Sequence, residues 1–68
     1  MNRISVISSN IASVGYEDNV VEIEFNSLSV YQYFNVPKEI YEGLLIASSK
    51  GKYFNLFIKD KYECLRIK

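Results

Sequence analysis

From Val20 to Phe25 the chain alternates, with Val21, Ile23 and Phe25 on one side and Glu22 and Glu24 on the other. A period of two marks a strand with one buried face, so the pattern predicts a strand whose two carboxylates face solvent. Ile11 to Tyr16, rich in β-branched and aromatic residues, runs into the turn-forming cluster Glu17-Asp18-Asn19 and predicts the preceding strand. Leu28 to Phe34 follows the polar break Asn26-Ser27 and predicts a third strand, joined to the second as a hairpin.

The parity of that hairpin loop decides which way Tyr31 and Tyr33 point. An even, two-residue loop places both with Glu22 and Glu24, whereas an odd, three-residue loop places them with Val21, Ile23 and Phe25. The even register would also bury the Gln32 amide among apolar side chains, at ~1–3 kcal/mol if it went unpaired. The odd loop is therefore expected, and the tyrosine hydroxyls would then need partners at the rim.

Past Pro37 the period lengthens. Proline suits a first helical position, and Ile40, Leu44 and Ala47, flanked by Tyr41 and Leu45, form one stripe, predicting a helix from about Pro37 to Ser48. Ser48 or Ser49 can cap a second helix in which Phe54, Phe57 and Ile58 have core spacing, with Gly51 a mild cost in its first turn. Tyr62 to Ile67 alternates again, Leu65 and Ile67 on one side, as a last strand returning to the sheet. The expected fold is α+β: a small antiparallel sheet of three to four strands with two short helices, in the order β-β-β-α-α-β, forming a single domain over residues 1–68. Its expected core is Val21, Ile23, Phe25, Tyr31, Tyr33, Leu44, Phe54 and Ile58.

With only 68 residues, such a domain buries about 60% of its unfolded surface and has little margin. Six tyrosines and four phenylalanines supply much of its core. No apolar run approaches the ~20 residues that cross a bilayer, and MNRISVISS lacks the apolar segment of a secretory signal, so a cytoplasmic protein without membrane contact is expected. A lone Cys64 and the absence of histidine leave no internal disulfide and no usual zinc site, and no metal or cofactor is expected. Nucleophilic catalysis would lack its ordinary base, and Glu22 and Glu24 read as a solvated face, so the chain is not expected to be an enzyme.

Charge is polarised along the sequence. Up to Ser49 six acidic side chains face two basic ones, net −4, and from Lys50 onward six basic face two acidic, net +4. Ser49-Lys50-Gly51-Lys52 at a helix start superficially suits phosphate, but it lacks the glycine spacing and terminal Lys-Ser/Thr of a P-loop, and a serine cap with two solvated lysines explains it as well. Lys59 and Lys61, placed near the end of the second helix, would also suit its dipole.

Ser8-Ser9-Asn10-Ile11, Val14-Gly15-Tyr16, Tyr31-Gln32-Tyr33, Val36-Pro37, Ser49 through Asn55, and Ile58, in that order and spacing, resemble the KTSC domain family from Ser8 to the C-terminus. The resemblance implies a domain that stands alone or closes some lysyl-tRNA synthetases, with a suggested role in RNA binding. Asn10, Tyr31, Tyr33, Pro37 and Phe54 are then its structural motif, and Asn10 or Asn55, both at family positions, are candidate partners for the two tyrosine hydroxyls. One departure is Ser27-Leu28, where family members often carry Asn-Gly; Leu28 in the left-handed region would cost on the order of 1–2 kcal/mol. The functional expectation is an accessory module binding RNA or tRNA weakly through Lys50, Lys52, Tyr53, Asn55, Lys59 and Lys61, with Tyr53 stacking on bases. The alternative is a protein-interaction or homo-oligomeric module with no nucleic-acid role.

Overall fold

The computed structural model describes Met1 to Lys68 and contains β1 (Ile4–Ser5), β2 (Ile11–Glu17), β3 (Val20–Phe25), β4 (Val30–Tyr33), α1 (Lys38–Ile46), α2 (Lys50–Phe57) and β5 (Cys64–Arg66). Asp18 and Asn19 alone connect β2 to β3, at φ 51° and 65°. Two successive left-handed residues make the hairpin turn whose twist matches the strands, and Asp and Asn are the non-glycine residues that tolerate it. The turn sets Tyr16 opposite Val21 and Val14 opposite Ile23. A bulge between Ile11 and Ser13 shifts the phase of β2, so that Ile11, opposite Phe25, joins Val14 on the inner face.

The second hairpin has the odd loop. Phe25 N–H donates to the Ser29 carbonyl at 2.9 Å and Leu28 N–H to the Phe25 carbonyl at 2.8 Å, leaving Asn26, Ser27 and Leu28 between the strands. Leu28 has φ 78°, the strained conformation its position demands. Tyr31 consequently pairs with Ile23 and Tyr33 with Val21, on the inner face.

The sheet has five antiparallel strands, not three or four, in the spatial order β1-β2-β3-β4-β5 and the chain order β-β-β-β-α-α-β. The additional strand is β1, two residues that pair Ile4 with Val14 and Ser5 with Ser13. It lies close because Gly15 has no side chain: a Cβ there would sit 2.6 Å from the Asn2 carbonyl oxygen. β5 completes the other edge against β4, Cys64 opposite Tyr33 and Leu65 opposite Gln32.

Both helices cover the inner face. Pro37 stands one residue outside α1 as its extended cap, with ψ 147°, rather than in the first turn. Ser49 caps α2, its Oγ accepting the Lys52 N–H at 3.4 Å. Six of the expected core residues (Val21, Ile23, Tyr33, Leu44, Phe54 and Ile58) are buried, joined by Ile11, Val14 and Val36, while Phe25 and Tyr31 are half-buried beside them. Phe57 is 46% exposed, because α2 turns that side toward solvent and Ile58 fills the core instead. No helix is long and apolar enough to cross a membrane.

The outer face departs most from expectation. Glu22 is only 6% exposed. Arg3 reaches across Gly15 to pair with its carboxylate and donates Nε to Ser13 Oγ at 3.0 Å. The Gln32 amide donates to Glu22 Oε1 at 2.8 Å, and Ser13 Oγ donates to Glu24 Oε1 at 2.9 Å. A polar row thus ties the segment leading into β1 to β2, β3 and β4, and the Glu22 side chain is held by protein partners rather than by solvent.

Candidate functional site: an aromatic groove beside the second helix

The alternation of β4 sends Tyr31 and Tyr33 toward α2, whose cap at Ser49 fixes the turn from which Phe54 descends. Four rings meet there. Phe54 lies edge-to-face against Phe25 (5.4 Å, 72°) and Tyr33 (5.5 Å, 74°), Phe25 meets Tyr31 edge-on at 5.8 Å, and the Tyr31 and Tyr33 rings run nearly parallel 6.4 Å apart. Such contacts add about 0.5–1.5 kcal/mol per pair beyond area burial.

These rings line an open groove of about 400 Å³. Asn55 on α2, Lys59 and Asp60 just beyond it, and Asn10, Ser27 and Cys64 also line the groove. Asn10 comes close to the start of α2, where a Cβ on Gly51 would meet its Cβ at an ordinary 3.8 Å. The side-chain amides of Asn10 and Asn55 and the hydroxyls of Tyr31 and Tyr33 bond to no other protein group, and none is sealed from solvent. The expected bonds from Asn10 or Asn55 to the tyrosine hydroxyls are therefore absent: the residues share the groove but keep their polar tips free. Burial pushes the Tyr33 hydroxyl up to about 12, helped by the neighbouring Cys64, Tyr31 and Asp60. It is thus a neutral donor across the physiological range.

The proposed RNA-contacting residues divide. Lys52, Asn55, Lys59 and Lys61 are exposed. Lys50 is half-buried and donates Nζ to the Ala47 carbonyl at 3.0 Å, bridging the two helices. Tyr53 is half-buried, with its hydroxyl and part of its ring engaged between the two helices. Its hydroxyl donates to the Ile40 carbonyl at 2.9 Å, its ring lies against Gly43, and Phe57 packs on it at 4.7 Å. Lys59 and Lys61 lie just past the end of α2 at Phe57, in a turn where Asp60 has φ 61° and the Lys59 N–H closes on the Phe54 carbonyl, so Lys59 follows directly on the negative end of the helix dipole. Pro37 lies away from the groove lining, at the head of α1.

Phe25, Ser27, Asp60 and Cys64 were not foreseen at the site. The parity that carried Tyr31 inward also fixes Phe25 beside it, and Ser27 comes with the hairpin loop between them; Asp60 and Cys64 depend on how the turn after α2 and β5 come back to the sheet.

A five-stranded antiparallel meander covered on one face by two helices, with this groove beside the second, defines the class. The model of the KTSC domain matches residues 7–62, and the chain belongs to that family. It superposes on the crystal structure of a KTSC domain protein from Yersinia pestis with a TM-score of 0.95 and 40% identity, covering 98% of this chain and 97% of that one. An uncharacterised protein of Stutzerimonas stutzeri is 39% identical over 64 residues, 91% of this chain and 90% of that protein. A lysine–tRNA ligase of Nostoc punctiforme is 47% identical over 57 residues, which are 81% of this chain but 10% of the ligase. Of the residues that carry the family resemblance, Asn10, Tyr31, Tyr33, Phe54 and Asn55 line the groove, whereas Gly15, Gln32, Pro37 and Ile58 do not.

Proposed function

We propose that this chain is a non-catalytic accessory module that binds RNA, tRNA included, weakly through the surface formed by α2 and the turn behind it. The observation that supports this reading most directly is the coincidence of an open aromatic groove with the exposed cations Lys52, Lys59 and Lys61, in the part of the chain that carries net +4. Lysines meet phosphates while aromatic and amide groups meet bases, the division of labour by which single-stranded RNA is bound. Relatives named lysine–tRNA ligase carry the domain as about a tenth of their length, which accords with an accessory role beside RNA. Zero overall charge keeps the affinity low.

Titration of the ¹⁵N-labelled protein with tRNA and with single-stranded RNA at low salt tests this. Resonances from Ser49 to Lys61 are expected to move, affinity should fall steeply with added salt, and the double variant Lys59→Glu, Lys61→Glu should abolish binding while remaining folded. No movement in that segment at high RNA concentration would sink it.

A protein-interaction role has its own support in β5, an edge strand exposed at every position, with Leu65 and the following Ile67 open to solvent. Unpaired edges template further strands. Light scattering at high concentration separates this reading where the partner is a second copy: a strict monomer excludes it.

A further inference from the structure

We infer that the groove between α2 and the β4–β5 edge of the sheet is a pocket for one unpaired RNA base. The inference rests on the RNA reading above and assigns it a specific contact.

The shape comes first. Tyr31 and Tyr33 present nearly parallel rings from successive inward positions of β4, and Tyr31 remains half-buried, so part of its ring surface is open to the groove. A groove of about 400 Å³ lies within the range of small-ligand sites and is narrow for a folded partner. A planar ring is the occupant that an aromatic wall recognises with least loss of freedom.

Polarity narrows the class. The Asn10 and Asn55 amides each carry donors and an acceptor, and the two tyrosine hydroxyls can do either. All four tips are free of protein partners, and all four residues line the groove. A proline ring or aliphatic side chain seated there would leave those groups unsatisfied, whereas the edge of a base bears neighbouring donors and acceptors of the kind asparagine pairs with. A base inside a duplex has that edge occupied, so the pocket calls for a single strand, loop or flipped nucleotide.

Charge supplies direction. Lys59 borders the groove and Lys61 follows two residues later, with Asp60 between them. A phosphate beside Lys59 leaves the attached base on the groove side. Asp60 would disfavour phosphate at the mouth itself, which separates the base site from the backbone track.

The experiment compares a short single-stranded RNA with the same sequence annealed to its complement, read by the side-chain amide signals of Asn10 and Asn55 and the ring signals of Tyr31. The single strand should move all three and the duplex should not. Asn55→Ala, at an exposed helical position, should weaken single-strand binding about ten-fold with an unchanged salt slope. Lys59→Glu should instead reduce the slope by about one. Tyr31→Phe provides a second variant that keeps the ring, and it should bind more tightly than Tyr31→Ala. Shifts confined to the lysines, with Asn10, Asn55 and Tyr31 unmoved, overturn the base pocket and leave RNA binding standing. Equal shifts with duplex also overturn it. Absence of any RNA-induced shift overturns both, and a proline-rich peptide that moves the groove signals when RNA does not would assign the groove to a protein partner.

Discussion

The Tyr53 hydroxyl donates to the Ile40 carbonyl across a helix pair, and its ring occupies the place where Gly43 has no Cβ. An added Cβ at Gly43 would stand 2.2 Å from the hydroxyl oxygen, so the two residues are coupled by volume as well as by the bond. Gly43→Ala should therefore destabilise the domain by about 1–3 kcal/mol even though alanine favours helix, because overpacking outweighs propensity. Tyr53→Phe should cost about 1 kcal/mol and leave RNA affinity unchanged. Urea unfolding of both variants, with a binding titration of the second, checks the pair; loss of RNA binding in Tyr53→Phe would return that residue to the interface.

Arg3 makes the N-terminal segment part of the fold through a single carboxylate. Its guanidinium pairs with Glu22, whose side chain is 8% exposed against 29% for Arg3. Arg3→Ala should cost about 1–3 kcal/mol, below the loss expected for a fully buried pair because Gln32 still serves Glu22 and Arg3 is partly solvated. A double-mutant cycle with Glu22→Gln should show coupling between the sites, and additive effects would mean that the pair contributes nothing as a pair.

The hairpin parity was legible because Gln32 has one tolerable face, and it carried both tyrosines to the correct side. The two-residue β1 was not, since Ile4 and Ser5 show no alternation and their pairing depends on the missing side chain of Gly15. Alternation placed Glu22 on the outer face correctly but could not reveal that Arg3, nineteen positions away, would cover it. The packing of Tyr53 was hidden for a related reason: its partner is a backbone carbonyl on another helix, and carbonyls leave no mark in a sequence.

Tyr33 should impose an alkaline limit on stability. A tyrosine ordinarily ionises near 10, and burial raises Tyr33 to about 12. The fold holds the neutral phenol, so its contribution is fully present below pH 10 and is lost as pH rises from 10 to about 12, where the unfolded chain ionises first. Tyr33→Phe removes the titrating group. The difference in unfolding free energy between wild type and variant should be constant below pH 10 and shift in favour of the variant above it. A pH-independent difference would show that the Tyr33 hydroxyl is not held neutral.

Leu28 sits in the left-handed region at φ 78° with 68% of its surface exposed, so it bears the conformational cost of the three-residue loop while packing little in return. Glycine adopts that conformation freely, and its own greater loss of chain entropy offsets only part of the gain. Leu28→Gly should therefore stabilise the domain by about 1 kcal/mol, whereas Leu28→Val, with a branched Cβ in the same conformation, should destabilise it by a similar amount. Thermal unfolding decides the matter, since 1 kcal/mol moves the midpoint of a domain this size by roughly 4–8 °C. The hairpin register should be unchanged in both variants, with Tyr31 still opposite Ile23. A Leu28→Gly protein that melts below the wild type would show that the exposed leucine contributes more through contacts than it loses through strain.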